Sequence, residues 1–197
     1  MLDCQVAILE NAIARYSVTG EIPRPIGSRH PSVVPLEPFD TQDGQLMVAV
    51  GNDTIWVRLC EALEQPALAA DPRFTTNPER LAHYAELRPL LADIFVTRTN
   101  AEWQALLDAA GVPASPINNV PQVMEHPQVL AREMLVKLVH PAAGELTMAG
   151  IPIKLSETPG AMRMPAPTLG QHTEEVLRDL LGYTPEQIAA LRAEGAL

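Results

Sequence analysis

Proline content is the feature that most constrains how this 197-residue chain can fold. Its 19 prolines, about twice the usual share, are scattered among apolar segments and do not form a single tract. Proline fixes φ and lacks a backbone N–H, so it ends helices and interrupts β ladders. The pattern predicts many short elements joined by rigid turns, rather than a disordered proline-rich linker.

The composition is that of a globular protein, with 47% apolar and 19% charged residues. A net charge of −10 argues against nucleic acid or an anionic membrane as the main partner, but a local basic pocket can still bind a small anion. Cys4 and Cys60 form no CxxC motif, which argues against a disulfide scaffold or a zinc site. No apolar run is long enough to span a bilayer, and the N-terminus lacks the features of a signal peptide. We therefore expect a cytoplasmic protein.

Apolar spacing and turn residues predict the elements of the first third. Apolar residues three and four apart predict a helix over 2–18, and an extended connector follows it. The Asp43-Gly44 turn between two β-rich runs predicts an antiparallel hairpin, with Pro35 and Pro38 weakening its first strand. A helix is expected to start at Asn52 or Asp53.

Capping signals predict helices in the middle of the chain. Asn77 is expected to cap a helix that bends at Pro89 and runs to about Val96. Thr99 and Glu102 match the capping box of the next helix.

The last third is predicted to contain both strands and helices, which makes the fold class α/β (α+β) with short antiparallel strands. The expected elements are short helical pieces over 121–133, a hairpin over 134–150, a short strand over 151–159, and two helices over 170–182 and 184–195.

The sequence contains none of the motifs typical of nucleophilic, metallo- or nucleotide-dependent enzymes. Its five histidines are far apart, without metal-ligand spacing. His126 and His140 each precede a proline, which favours a role as polar turn residues. His172 is interpreted as a helix-cap residue rather than part of an anion site. From its residues alone, the chain has no self-sufficient active site.

Residues 27–31, "GSRHP", are the one stretch with a candidate binding role. Gly27 permits close backbone approach, Ser28 supplies a hydroxyl, Arg29 can pair with a carboxylate or phosphate, and His30 can donate or accept a hydrogen bond. A polar linker between the first helix and the hairpin is the alternative, and composition alone favours it.

Several longer stretches resemble the C-terminal half of class III CoA-transferases, the superfamily of formyl-CoA transferase, carnitine CoA-transferase and α-methylacyl-CoA racemase. The resemblance covers nearly the whole chain. It is carried by segments in register that include "DPRFTTNPERLAHYAEL", "AEWQALLDAAGVPASPINNVPQVMEHPQVLAREML", "GIPIKLSETPG" and "APTLGQHTEEVLRDLLG".

The resemblance implies a division into three segments. Residues 1–34 would be a helix and connector from a Rossmann-like large domain, 35–155 a small α/β domain, and 156–197 a linker and C-terminal helices that return to the large domain. It also implies a homodimer of interlocked subunits. The net charge and the lack of a long apolar run, in turn, predict no nucleic acid or membrane partner.

The resemblance further implies that CoA moves from an acyl-CoA to a small carboxylic acid through an aspartyl intermediate, with CoA as substrate and no cofactor. The family's aspartate lies in the N-terminal half, no position here matches it, and the chain is expected to start after it. No catalytic residue is therefore assigned. Gly27, Ser28, Arg29 and His30 match a glycine-bearing loop that closes over the thioester, although only Gly27 keeps a glycine. They are the predicted substrate-binding residues, and Arg29 could pair with a carboxylate.

Two alternatives remain open. One is an acyl-CoA racemase-like relative, whose acid and base would also lie outside this chain. The other is a non-catalytic truncated module that self-associates through exposed apolar faces of its first and last helices.

Overall fold

The computed structural model describes residues 1–197 and separates them into two compact units, Met1–Ile117 and Asn118–Leu197. It contains both helices and short antiparallel strands, which confirms the predicted fold class. The division at 34 and 155 stays a prediction. None of the helices has the length and hydropathy needed to cross a membrane.

The elements are short throughout, as the scattered prolines predict. The strands are β1 (Leu36–Asp40), β2 (Gln45–Ala49), β3 (Ala114–Pro116), β4 (Leu135–His140) and β5 (Gly144–Ala149). The helices are α1 (Leu2–Ile8), α2 (Glu10–Thr19), α3 (Asp53–Ala62), α4 (Pro66–Ala70), α5 (Asn77–Ala82), α6 (Tyr84–Phe95), α7 (Asn100–Ala110), α8 (Val120–Glu125), α9 (Pro127–Ala131), α10 (Thr173–Glu175), which continues as a π-helix over Val176–Leu180, and α11 (Pro185–Ala193).

The first unit is built on a three-stranded antiparallel sheet in the order β1-β2-β3. The predicted hairpin is confirmed, because Asp40 pairs with Gln45 across the Asp43-Gly44 turn. Pro38 is tolerated because β1 is an edge strand, where a missing N–H leaves no ladder bond unmade. Phe39 of β1 and Leu46 of β2 are fully buried, so this sheet turns one face to the core.

Helices α3, α6 and α7 supply most of the rest of that core. Phe95 of α6 stacks on Phe39 with 4.7 Å between ring centroids and meets the edge of Trp103 of α7 at 5.2 Å. Trp103 also donates its indole N–H to the Phe95 carbonyl oxygen at 2.8 Å, which leaves no unpaired donor there. The core residues are Val34, Phe39, Leu46, Val48, Val50, Trp56, Leu59, Cys60, Leu63, Phe74, Leu87, Leu91, Phe95, Trp103, Leu107 and Val112.

Helix starts follow the capping signals closely, with one correction. The Thr99–Glu102 capping box is confirmed. Asn77, however, is the first residue of α5, and Thr76 caps that helix instead.

Two predicted helices are each divided in the structure. The helix expected over 2–18 is interrupted at Leu9, whose N–H bonds to the Val6 carbonyl in a tighter turn. The helix expected to bend at Pro89 breaks at His83, where the ring Nδ1 lies 3.0 Å from the Glu79 carbonyl oxygen. Pro89 lies inside α6.

The second unit contains α8, α9, the β4–β5 hairpin and the C-terminal helices. The strand expected over 151–159 is wrong: no strand forms there. Pro152 lacks an N–H to donate to a ladder, and the adjacent sheet ends at two strands. The helix expected over 184–195 forms as α11, and Thr184 and Gln187 make a capping box at its start.

Candidate functional site

Residues 27–31 form an ordered bend between α2 and β1. Gly27 has φ +73°, a left-handed conformation that favours glycine. A Cβ added to it would meet no atom within 4 Å, so the backbone conformation, not crowding, is what requires glycine. Ser28 is exposed and forms an isolated β-bridge with Ile26, while Arg29 and His30 are half-buried.

His30 closes the bend with hydrogen bonds in both directions. Its backbone N–H donates to the Leu36 carbonyl oxygen at 2.9 Å. Its ring Nδ1 accepts from the backbone N–H groups of Ser32 at 3.2 Å and Val33 at 3.1 Å. The ring hydrogen therefore lies on Nε2, which makes no hydrogen bond within the chain.

The other two histidines that precede prolines use the same contact. Nδ1 of His126 accepts from the N–H of Gln128 at 3.1 Å, and Nδ1 of His140 accepts from the N–H of Ala142 at 3.1 Å. This confirms their interpretation as turn residues. His30 shares that structural role, because its Nδ1 is occupied by the two backbone N–H groups that shape the loop.

Asn77 fixes the segment that follows the bend. Its Nδ2 donates to the Ser32 carbonyl oxygen at 2.8 Å, and its Oδ1 accepts from the N–H of Val34 at 2.9 Å. The side chain thus supplies a donor and an acceptor to a segment without regular structure. It connects the loop to the start of α5.

Arg29 lies at one end of a chain of polar contacts. Its guanidinium carbon is 4.3 Å from the centroid of the Tyr84 ring. The Tyr84 hydroxyl donates to Glu37 Oε2 at 2.8 Å, and Arg88 Nε donates to the same oxygen at 3.1 Å. Glu37 is 5% exposed, so its charge is compensated inside the protein.

Burial, and then the hydrogen bond to Glu37, raises the pKa of Tyr84 above its ordinary value. Tyr84 therefore remains a protonated donor across the physiological range. Its ring consequently offers Arg29 a fixed platform.

The predicted site residues are thus brought together, but they acquire partners that the sequence interpretation missed. The missed residues are Glu37, Tyr84 and Arg88. One signal for Glu37 was present in the sequence. Glu37 is two residues before Phe39, so both side chains lie on the same, inward face of β1. An inward-facing glutamate requires a buried partner, and that partner could have been sought.

Other candidate groups are not positioned for nucleophilic chemistry. Burial raises the pKa of the Cys60 thiol to about 12, although Arg80 partly opposes the shift. His172 Nδ1 lies 2.9 Å from Glu175 Oε2, and the ring makes no capping bond. No group of three or more His, Cys, Asp and Glu side chains is arranged to hold a metal ion. The Ser32 hydroxyl lies 3.4 Å from His30 Nδ1, but that nitrogen already accepts from two backbone N–H groups, so the pair is not arranged as a nucleophile and its base.

The proteins that this chain resembles include CoA-transferases. Residues 1–173 match the sequence profile of CoA-transferase family III. The chain is 38% identical to the succinyl-CoA–D-citramalate CoA-transferase of Chloroflexus aurantiacus over 96% of its own length and 47% of that protein. It is 32% identical to human succinyl-CoA:glutarate CoA-transferase over all of its own length and 45% of that protein.

The fold is similar to a solved structure as well. A CAIB/BAIF family protein from Brucella suis superposes with a TM-score of 0.76 at 31% identity, over 90% of this chain and 46% of the other. The chain spans about half the length of the curated relatives it matches.

Proposed function

Because the chain belongs to CoA-transferase family III, we propose that it is part of an enzyme that moves CoA from an acyl-CoA thioester to a free carboxylic acid. The observation that carries this proposal is the family match over residues 1–173. The bend at 27–31 supports it, because His30 holds the bend and Asn77 holds the segment that follows, so a binding site lined by them needs little further ordering.

In the proposed reaction, an aspartate carboxylate attacks the thioester carbonyl carbon, and the carbon–sulfur bond breaks to release CoA thiolate. The thiolate attacks the aspartyl carbonyl of the mixed anhydride, which releases the first acid and leaves an aspartyl-CoA thioester. The acceptor carboxylate displaces the thiolate to form a second anhydride. The thiolate then attacks the carbonyl carbon that the acceptor acid contributes to this second anhydride, which forms the new acyl-CoA and restores the aspartate.

The nucleophilic aspartate is proposed to lie outside these 197 residues. The chain would contribute Gly27, Ser28, Arg29 and His30 to the substrate site. Gly27 allows the bend to approach the thioester, and Arg29 supplies positive charge beside it.

We further propose that both acids are dicarboxylic. Succinate, D-citramalate and glutarate, the acids in the names of the two relatives, each have two carboxyl groups. One carboxylate would react while the other is held by the protein. Both relatives are named as transferases, which favours CoA transfer over racemisation.

A cytoplasmic homodimer completes the proposal. Leu9, Ile13 and Tyr16 of the N-terminal segment are 52%, 48% and 52% exposed, so an apolar face is open to a partner. Both cysteines are free thiols, which fits a reducing compartment. Sedimentation of the purified protein as a monomer would contradict the dimer.

A chimera tests the proposed activity. The segment of the Chloroflexus relative that this chain matches would be replaced by the chain, and formation of D-citramalyl-CoA from succinyl-CoA measured by chromatography. We expect transfer, and a loss of about tenfold for Gly27→Ala, because a side chain at φ +73° strains the bend by about 1–2 kcal/mol. Gly51→Ala is the control, since the added Cβ would meet nothing and no positive φ is required.

Three results would contradict the proposal. A folded chimera that transfers no CoA would support the non-catalytic module. Exchange of the α-hydrogen of the acyl group with deuterated water, without transfer, would support the racemase-like alternative. Equal activity of the two glycine variants would remove the 27–31 bend from the site.

A further inference from the structure

Three arginines line one small cavity beside the 27–31 bend. The cavity has a volume of about 190 Å³ and is bounded by Arg15 of α2 and by Arg24 and Arg29 of the connector. Glu21 is the only acidic residue in its wall, and the rest of the wall is isoleucine and proline. Positive side chains therefore outnumber negative ones there by three to one.

None of these three arginines has an anionic partner in the structure. Carboxylates within 4.0 Å pair with Arg73, Arg80, Arg88, Arg98, Arg178 and Arg192. Six arginines lack such a partner, and half of those line this cavity: Arg15, Arg24 and Arg29, in contrast to Arg58, Arg132 and Arg163.

The clustering is unexpected for a chain of net charge −10. Acidic residues outnumber basic ones by 24 to 14, so surface arginines have many possible partners. Like charges placed together without a counterion repel each other, and a bound anion would remove that repulsion.

The local structure also holds the cluster in place. Pro23 and Pro31 lie in the cavity wall and restrict the connector at both ends. The Tyr84 ring fixes the Arg29 guanidinium from one face at 4.3 Å, which leaves its in-plane N–H donors unused. A guanidinium held in this way can bind two oxygens of a carboxylate or phosphate with little loss of entropy.

We propose that Arg15, Arg24 and Arg29 form a binding site for an oxyanion carried by a substrate. The candidates are the second carboxylate of a dicarboxylic acid and a phosphate of CoA, both of which match the guanidinium fork. The proposed function enters this inference only in the choice of the molecule that carries the anion, a dicarboxylic acid or CoA. The site itself rests on the cavity and its unpaired cations.

Binding to the purified protein tests this inference without any turnover. Isothermal titration calorimetry at low salt would use glutarate and adenosine 3′,5′-bisphosphate as probes. Butyrate, which has a single carboxylate, is the comparison for glutarate. We expect saturable binding of glutarate or the bisphosphate, weakened about tenfold or more by Arg24→Gln and by Arg29→Gln, because each removes a charge-assisted pair. Arg58→Gln is the control, because Arg58 is an exposed, unpaired arginine of α3 in the same unit. This variant should bind the probes as tightly as the unsubstituted protein does.

The two arms identify the source of the anion. Arginine-dependent binding of glutarate, with butyrate much weaker, assigns the site to the second carboxylate. Arginine-dependent binding of the bisphosphate alone assigns it to CoA.

The inference is overturned if neither probe binds, or if Arg24→Gln and Arg29→Gln bind as well as Arg58→Gln. Arg24 is exposed, so its substitution leaves folding intact, and circular dichroism would verify this for each variant. Failure of CoA transfer in the chimera with binding intact would reject the proposed activity and keep the site.

Discussion

Arg80 is wholly buried and holds the segment after the 27–31 bend against two helices. Its guanidinium donates to the Val34 carbonyl oxygen at 2.7 Å, the Phe74 carbonyl oxygen at 3.0 Å and Asp53 Oδ1 at 2.8 Å. It also lies over the Trp56 ring at 5.0 Å. Three separated acceptors suit the planar fork of arginine and cannot all be reached by the single ammonium of lysine.

Arg80→Lys is therefore expected to destabilise the protein by roughly 3 kcal/mol, because buried carbonyl groups would be left unpaired. Urea unfolding followed by tryptophan fluorescence measures this loss. Arg58→Lys, at an exposed position, should stay within about 0.5 kcal/mol of the unsubstituted protein. Coincident unfolding curves for the two variants would show that Arg80 does not hold this segment.

At the scale of elements, the capping box of α7 offers a test that depends on pH. Thr99 Oγ1 accepts from the Glu102 N–H at 3.3 Å, and Glu102 Oε2 accepts from the Thr99 N–H at 2.9 Å. The backbone N–H of Thr99, followed by its hydroxyl, lowers the pKa of Glu102 below its ordinary value of 4.5. Its stabilising contribution is therefore present above about pH 4.5 and is lost as the pH falls through the lowered pKa.

Thr99→Ala is expected to lower the free energy of unfolding by about 1 kcal/mol at neutral pH. The difference from the unsubstituted protein should shrink as the pH falls, because acid already weakens the intact box. Denaturant unfolding at several pH values measures it, with Thr54→Ala as control, since Thr54 is exposed on α3 and makes no side-chain hydrogen bond. A difference that does not change with pH would contradict the role of Glu102.

Elements specified by local chemistry were predictable from the sequence. The β1–β2 hairpin follows from its Asp-Gly turn, and α7 and α11 follow from their capping boxes, because each signal acts over about four residues. The strand expected over 151–159 failed because a strand also requires a partner, and alternation within one segment does not supply one.

The contacts of the candidate site were less predictable because they join distant parts of the chain. Tyr84 and Glu37 are 47 residues apart, and Arg80 and Val34 are 46 apart. The sequence identified Arg29 as a candidate from its residue type alone. Its platform, Tyr84, and its neighbours in the cavity, Arg15 and Arg24, emerge only when the chain is folded.

At the scale of the whole molecule, charge is distributed unevenly. The chain is strongly acidic, yet residues 15–29 place three unpaired arginines around one cavity. Beside them, the bend at Gly27–His30 is held by backbone and side-chain hydrogen bonds. We propose that these residues hold the substrate while an aspartate elsewhere reacts with it.

Intact-mass spectrometry after incubation with succinyl-CoA tests most directly whether the reactive group lies outside this chain. The 197-residue polypeptide alone should keep its mass, whereas the active chimera should gain a covalent succinyl or CoA adduct. An adduct on the polypeptide alone, or glutaryl-CoA formed by it from succinyl-CoA and glutarate, would contradict the account, because the reactive group would then lie within this chain.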